Sequence, residues 1–149
     1  KYFISNEDMI TDKITKMVSF GGLLKDLNLP FEGEEPPAYI VICHDTSIVK
    51  EEPIFINDVG IAAEIIWLAA TEMGLSVCLM AGFDSSKIKN ELFLPDNMEV
   101  KLVIAIGKSL EKVKIKEVGS EESVKYYRDE NGVHVVPKRK LEDIIINWA

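Results

Sequence analysis

The chain has 149 residues, 47% hydrophobic and 28% charged, which predicts one soluble globular domain and excludes a disordered segment. Its formal net charge of −8 argues against a nucleic-acid backbone as the main partner, because such domains usually carry a basic face. Cys43 and Cys78 both lie in apolar runs, so we expect buried, unreactive thiols in a cytoplasmic protein without a membrane segment.

The first third of the chain is predicted to contain two strands and a helix. Residues 1–5 are strand-like, and Asn6 can cap a helix over 7–18 that ends at the "FGG" sequence. A loop rich in proline and glycine follows over 29–37. Residues 38–45, "AYIVICHD", form a continuous apolar run of strand length, which is typical of a buried central strand.

Residues 57–74 predict the longest helix, with Asn57 or Asp58 as its N-cap and Gly74 at its end. Apolar residues occupy almost every side of this helix, so it must be covered on all sides. We expect a second subunit to cover one side. The alternative is a central helix that is covered by the sheet and helices of its own chain.

The second half predicts strands at 75–82 and 99–108, with a short helix between them that Asp84 or Ser85 caps. The sequence "VKIKEV" indicates an edge strand or an extended arm. Residues 125–139 can form a hairpin around Asn131-Gly132, and a short helix begins at residue 141. This mixture of elements predicts an α+β fold.

Three stretches are candidates for chemistry. Lys138, Arg139 and Lys140 could neutralise a phosphate, although such a run is also typical of a solvated turn. The turn in "MAGFDSSK" joins a strand to a helix through Gly82, where a ligand can approach the backbone closely; it matches neither GxGxxG nor a P-loop. The adjacent residues of Cys43-His44-Asp45 point to opposite faces of a strand, so we expect no metal or nucleophile site there.

Taken together, the sequence resembles the nitroreductase family of flavoproteins. Four stretches carry the resemblance in the family's order, and they cover most of the chain. They are "GGLLKDLNLPFEGEEPPAYIVICHD", "FINDVGIAAEIIWLAATEMGLSVCLMAGFD", "KIKNELFLPDNMEVKLVIAIGK" and "YYRDENGVHVVPKRKLEDII". The fold that this implies is a mixed, mainly antiparallel sheet flanked by helices, with a long buried helix at the centre of a dimer.

The resemblance also implies a cofactor and its binding residues. Lys138 and Arg139 match a basic pair that binds the phosphate of FMN, with Lys140 as a possible third cation. The turn formed by Met80, Ala81 and Gly82 matches the stretch that lies along the isoalloxazine ring. The flavin is expected at the interface of a homodimer, with residues from both chains.

The implied activity is hydride transfer from NAD(P)H through the flavin to a nitroaromatic, a quinone or a similar acceptor, in a ping-pong cycle. No side chain is assigned a catalytic proton transfer. The family's Arg-rich N-terminal motif does not precede Lys1, so we expect that a few dozen residues of the family pattern are missing. Two alternatives are a flavin-binding module without turnover and a dimeric module without a cofactor.

Overall fold

The protein is described here from a computed structural model, which covers residues 1–24, 26–50 and 52–146, without the side chains of 52–55. The described chain divides into two compact units. The larger unit comprises Lys1–Phe20 and Leu29–Ser109, and the smaller unit combines Gly21–Asn28 with the described residues from Leu110 onward. The prediction that the chain is a single domain stays a prediction.

A four-stranded antiparallel sheet lies at the centre of the larger unit, and its strand order is β1-β2-β4-β3. The strands are β1 (Tyr2–Ser5), β2 (Ala38–Asp45), β3 (Ser76–Met80) and β4 (Met98–Gly107). The two inner strands are the two longest apolar runs of the sheet, because inner strands are covered on both faces. The prediction that residues 38–45 form a buried central strand is therefore confirmed.

Helices cover both faces of this sheet. One face packs against α1 (Asp8–Thr15) and α3 (Ser85–Glu91), and its fully buried residues are Ile14, Tyr39, Val41, Ile88 and Val103. The other face packs against α2 (Glu52–Glu72), where Ala63 contacts the cluster that contains Ile42 and Ile104. Each fully buried aliphatic side chain stabilises the fold by about 1.5–3 kcal/mol. The predicted α+β class, with a mainly antiparallel sheet flanked by helices, is confirmed.

Helix α2 differs from its prediction at the start and agrees with it at the end. It begins at Glu52, so the predicted N-caps Asn57 and Asp58 lie inside the helix. At the end, Gly74 has a φ of +73°. The Leu75 N–H donates to the Ala70 carbonyl at 2.9 Å, which is a Schellman ending.

The expectation that α2 is covered on all sides is not confirmed within one chain. Ala63 and Ala70 are buried against the sheet, whereas Ile61, Ile65 and Leu68 on the opposite side each expose about 60% of their surface. The alternative of a helix covered by its own chain is wrong for this outward side. The outward apolar side therefore lacks a cover in the isolated chain.

The other two helices of the larger unit show how caps depend on context. Asp84 caps α3 as predicted, since its Oδ1 accepts from the Lys87 N–H at 3.0 Å. The predicted Asn6 cap of α1 is wrong, because Glu7 occupies the N-cap position without a side-chain cap bond. The helix ends at Thr15, before the predicted 18, because Val18 leaves it to form a β-bridge with Phe83.

The smaller unit contains a three-stranded sheet in the order β5-β7-β6. Its elements are β5 (Val113–Val118), β6 (Tyr127–Arg128), β7 (His134–Arg139) and α4 (Leu141–Ile144). The hairpin predicted around Asn131-Gly132 joins β6 to β7, and Gly132 has the positive φ of +73° that such a turn favours. The "VKIKEV" sequence forms the edge strand β5, which confirms the first of the two alternatives predicted for it.

The two cysteines differ in exposure. Cys43 is buried as predicted, and burial raises the pKa of its thiol. The prediction that Cys78 is buried is wrong, because β3 is an edge strand of the sheet and leaves this residue exposed. Among the described residues, no helix combines the length and the apolar character that crossing a membrane requires.

Candidate functional site

The predicted ring-side turn, Met80–Gly82, leaves the sheet at the end of β3. Met80 is buried in the core, whereas Ala81 and Gly82 are exposed. The turn therefore has one residue that anchors it in the core and two that present their backbone to solvent. Such a backbone can be approached closely, because neither Ala81 nor Gly82 carries a large side chain.

A second segment of the chain holds this turn in place. The Ser19 N–H donates to the Gly82 carbonyl at 2.7 Å, and Val18 and Phe83 form an antiparallel bridge beside it. A Cβ at Gly82 would lie 3.2 Å from the Ser19 Cβ. Glycine is thus favoured here by the close approach of Ser19.

One row of paired residues crosses the sheet from Tyr39 through Ala105 to Cys78. The Tyr39 hydroxyl lies 2.8 Å from Thr15 Oγ1. Because Thr15 Oγ1 itself donates to the Thr11 carbonyl, the proton between the two hydroxyls comes from Tyr39. Burial raises the pKa of Tyr39 to about 12, so this phenol stays protonated at neutral pH.

The side chains of Cys43, His44 and Asp45 have separate partners. Cys43 lies in the core, whereas His44 Nε2 lies 2.6 Å from the Val49 carbonyl. Asp45 accepts from the Ser47 and Asn97 side chains, each at 2.6 Å, and the hydrogen bonds led by Ser47 lower its pKa. This network ties the loop after β2 to the start of β4.

The predicted phosphate-binding residues lie at the end of β7 in the smaller unit. Because successive strand residues point to opposite faces, Lys138 and Arg139 leave the strand on opposite sides. Lys138 is exposed, whereas Arg139 is partly buried and its guanidinium donates to the Gly119 carbonyl. Lys140 follows the strand, is exposed, and its Nζ lies 3.8 Å from a carboxylate oxygen of Glu142.

The structure thus places the sequence-predicted residues in two groups. Met80, Ala81 and Gly82 share one turn of the larger unit, and Lys138 and Arg139 are neighbours in one strand of the smaller unit. Sequence reasoning missed Ser19, which supports the turn. No local pattern could have identified it, because its contact with Gly82 joins positions 63 residues apart.

Comparisons with known proteins point in one direction. The model of the nitroreductase family matches residues 24–108. An FMN-dependent nitroreductase from Clostridium difficile R20291 has a similar structure, with a TM-score of 0.59 and 24% identity over 75% of this chain and 64% of that chain. A nitroreductase family protein from Clostridium novyi NT gives 0.57 and 26%, over 72% of this chain and 61% of that chain.

A nitroreductase family protein from Streptococcus pneumoniae TIGR4 has a TM-score of 0.57 and 18% identity, over 76% of this chain and 71% of that chain. A search of curated proteins found no match. The chain spans less than two thirds of the length of the Clostridium difficile and Clostridium novyi proteins.

Proposed function

The chain belongs to the nitroreductase family, whose model matches more than half of its length, and from this premise we propose that it is an FMN-dependent oxidoreductase. Its substrates would be NAD(P)H and a small oxidised acceptor such as a nitroaromatic or a quinone. The observation that carries this proposal is the turn formed by Met80, Ala81 and Gly82, which lies inside the matched range and exposes its backbone.

The ring-side turn fits the edge of a flat cofactor. Met80 fixes the turn to the core, and Ser19 holds its other side through the 2.7 Å bond to Gly82. A turn that is held on two sides keeps its backbone groups in one orientation, which is what a ligand with fixed polar edges requires. We assign these three residues the task of contacting the isoalloxazine ring.

The basic pair fits a phosphate by its chemistry. Lys138 offers an exposed point charge, and Arg139 has five N–H donors, of which one set is engaged with the Gly119 carbonyl. We propose that both bind the phosphate of FMN. Lys138 can reach it directly, because its side chain is exposed to solvent. Lys140 would add a third positive charge.

Bound FMN would supply the redox chemistry, which is hydride transfer between NAD(P)H and the acceptor in a ping-pong cycle. The protein residues bind and orient. We assign no residue of this chain a proton-transfer role. Met80, Ala81 and Gly82 have no titratable side chain, and Lys138 and Arg139 are assigned to phosphate binding. We also propose a cytoplasmic location, because two cysteines in 149 residues do not make the cysteine framework that is typical of secreted proteins.

We further propose that the active form is a homodimer whose subunits meet on the outward side of α2. Ile61, Ile65 and Leu68 follow the i, i+4, i+7 spacing of one helix face, and all three are exposed in the isolated chain. A contiguous exposed apolar face of this kind marks an interaction surface. A second copy of the chain would cover it.

The test is a titration of the chain with FMN, followed through quenching of flavin fluorescence, and then an anaerobic assay of NAD(P)H oxidation with a nitroaromatic or a quinone. We expect saturable binding and acceptor-dependent oxidation. FMN binding without NAD(P)H oxidation would contradict the enzyme proposal and favour a flavin-binding module without turnover. A colourless dimer that does not bind FMN would overturn the flavin proposal and favour a dimeric module without a cofactor.

A further inference from the structure

A short turn over residues 119–122 follows β5 in the smaller unit, and two hydrogen bonds in opposite directions close it. The Glu122 N–H donates to the Gly119 carbonyl at 3.1 Å. The Gly119 N–H donates to Glu122 Oε2 at 2.8 Å. The same two residues are therefore bonded to each other twice, which fixes the backbone of the turn and satisfies its polar groups.

The Glu122 side chain folds back over Gly119. A Cβ at Gly119 would lie 3.6 Å from Glu122 Oε2, at van der Waals distance. Glu122 is itself exposed, so the hydrogen bond, rather than burial, keeps its side chain in this position. A carboxylate that accepts from a backbone N–H makes a charge-assisted bond, which is stronger than a bond between two neutral groups.

The carbonyl of this turn also holds Arg139. The Arg139 guanidinium donates to the Gly119 carbonyl, so that oxygen accepts from two donors and uses both of its lone pairs. The register of the sheet explains the contact, because Val118 is the partner of Arg139 in the parallel ladder and Gly119 follows Val118 directly. Glu122, Gly119 and Arg139 thus form one continuous series of hydrogen bonds inside the smaller unit.

Such an anchor matters for an arginine because its side chain is long and flexible. An unrestrained arginine side chain loses much rotamer freedom when it binds a ligand. The contact with Gly119 removes part of that freedom before a ligand arrives, and a guanidinium that uses one N–H in this way keeps further N–H donors for an anion. Arg139 is therefore pre-organised for a phosphate as long as the Gly119 carbonyl stays in place.

We infer that Glu122 is a positioning residue that raises the preference of the site for a flavin with a phosphate, acting through Gly119 on Arg139. The inference rests on the proposed function, because it assumes that Arg139 binds the phosphate of FMN. Glu122 need not contact the phosphate, which its own negative charge would repel. Its contribution is the hydrogen bond that fixes the Gly119 carbonyl at the position where Arg139 meets it.

The test measures the dissociation constants of FMN and of riboflavin, which lacks the phosphate, and compares their ratio among variants at physiological salt. In Glu122→Ala the preference for FMN should fall about two- to fivefold, the worth of one hydrogen bond. The Gly119 amide should exchange its hydrogen faster in NMR without any flavin, because it has lost its acceptor. Glu122→Gln keeps an oxygen acceptor and should restore both values. Glu121→Ala removes the same charge from the adjacent exposed residue and should leave both unchanged.

The outcomes separate this inference from the proposed function. A parent chain that binds neither flavin would overturn both. A parent chain that binds FMN and riboflavin equally would overturn the phosphate assignment and this inference, and leave the flavin proposal standing. A parent chain that prefers FMN, with the same preference in Glu122→Ala, would overturn the inference alone, even if that variant unfolds at a lower temperature. Equal losses in Glu122→Ala and Glu122→Gln would also overturn it, since the charge and not the hydrogen bond would then be the cause.

The double variant Glu122→Ala/Arg139→Ala tests the route through Arg139. Because Glu122 acts through Arg139, its removal should not lower the preference for FMN any further once Arg139 is absent. An additional loss in the double variant, as large as the loss in Glu122→Ala alone, would show that Glu122 acts independently of Arg139 and would overturn the inference.

Discussion

Ser19 and Gly82 approach each other so closely that a Cβ at position 82 would make an unusually tight contact. The Ser19 N–H donates to the Gly82 carbonyl at 2.7 Å, and the Ser19 Cβ lies 3.2 Å from where a Cβ of residue 82 would be. The contact joins the end of the first helical region to the turn after β3. It makes the shape of that turn depend on a residue far away in sequence.

Gly82→Ala should therefore move the turn. The added methyl group pushes Ser19 away by a few tenths of an ångström, and overpacking of this kind typically costs about 1–3 kcal/mol. We expect FMN affinity to fall by about fivefold or more in a fluorescence titration. Gly60→Ala is the matched control, because a Cβ there meets nothing within 4 Å. Equal FMN affinity for Gly82→Ala and the parent would contradict the role of this turn.

The two members of the basic pair should respond differently to truncation. Lys138→Ala removes an exposed charge, so it should weaken FMN binding by about 1.5–3 kcal/mol without changing the free energy of unfolding. Arg139→Ala also removes the bond to the Gly119 carbonyl, so it should lower both FMN affinity and stability. The double variant should lose about 2–4 kcal/mol of binding.

Lys114→Ala is the control for this pair, since Lys114 is another exposed cation of the same sheet. Its removal should leave FMN affinity unchanged at physiological salt. If Lys138→Ala and Lys114→Ala have the same small effect, the phosphate assignment fails, and only general electrostatic attraction remains.

Ile65→Lys should dissociate the proposed dimer while leaving the fold of each chain intact. Ile65 exposes 61% of its surface in the isolated chain, so a lysine is tolerated there in the monomer. In the dimer the same charge would be buried without a partner, at a cost of several kcal/mol. Sedimentation velocity at several concentrations measures the result. Ile115→Lys in β5, where the isoleucine is 67% exposed, is the control, and a native-size dimer carrying Ile65→Lys would refute the interface.

Tyr39 should make the protein less stable at alkaline pH. Burial raises its pKa to about 12, whereas a tyrosine in the unfolded chain titrates near 10. Below pH 10 both states keep the proton; between about 10 and 12 only the unfolded state loses it, so the free energy of unfolding falls as pH rises. Urea unfolding between pH 8 and 12 should show a steeper loss for the parent than for Tyr39→Phe. Parallel curves would mean that Tyr39 titrates normally in the folded state.

Sequence patterns predicted the elements whose cause is local. The buried strand 38–45 followed from its apolar run, the end of α2 from Gly74, and the cap of α3 from Asp84. Such features depend on residues within a few positions of one another, which a pattern can capture.

The errors came from contacts that only the tertiary structure sets. The first helix ends early because Val18 pairs with Phe83, and α2 begins five residues before Asn57 because caps are weak local preferences. Cys78 is exposed because its strand happens to be at an edge. Strand order is a property of the folded chain that hydrophobic periodicity does not encode, and the same is true of the hydrogen bond from the Leu23 N–H to the Tyr126 hydroxyl.

Phe93 should be replaceable by glycine with a gain in stability. It follows α3 with a φ of +51°, and the Leu94 N–H donates to the Lys89 carbonyl at 3.0 Å, so it occupies the helix-ending position that favours glycine. A left-handed backbone costs an ordinary residue about 1–2 kcal/mol, and the Phe93 side chain is 89% exposed. Phe93→Gly should gain about 0.5–1 kcal/mol in urea unfolding after the entropy cost of glycine. Phe93→Ala keeps the strain and should gain nothing; equal gains in both would show that the ring, not the backbone, was the cause.

The smaller unit combines two separate stretches of the chain, so it can form only after the second stretch has been synthesised. As the chain leaves the ribosome, all four strands of the larger sheet are available once Gly107 has emerged. The segment around Leu23, whose N–H donates to the Tyr126 hydroxyl, must then wait for Tyr126, and closing a loop of 103 residues carries an entropy cost that grows with the logarithm of its length. We therefore expect the nascent protein to pass through a stage in which its larger half is folded and its glycine-rich segment is still open to proteases.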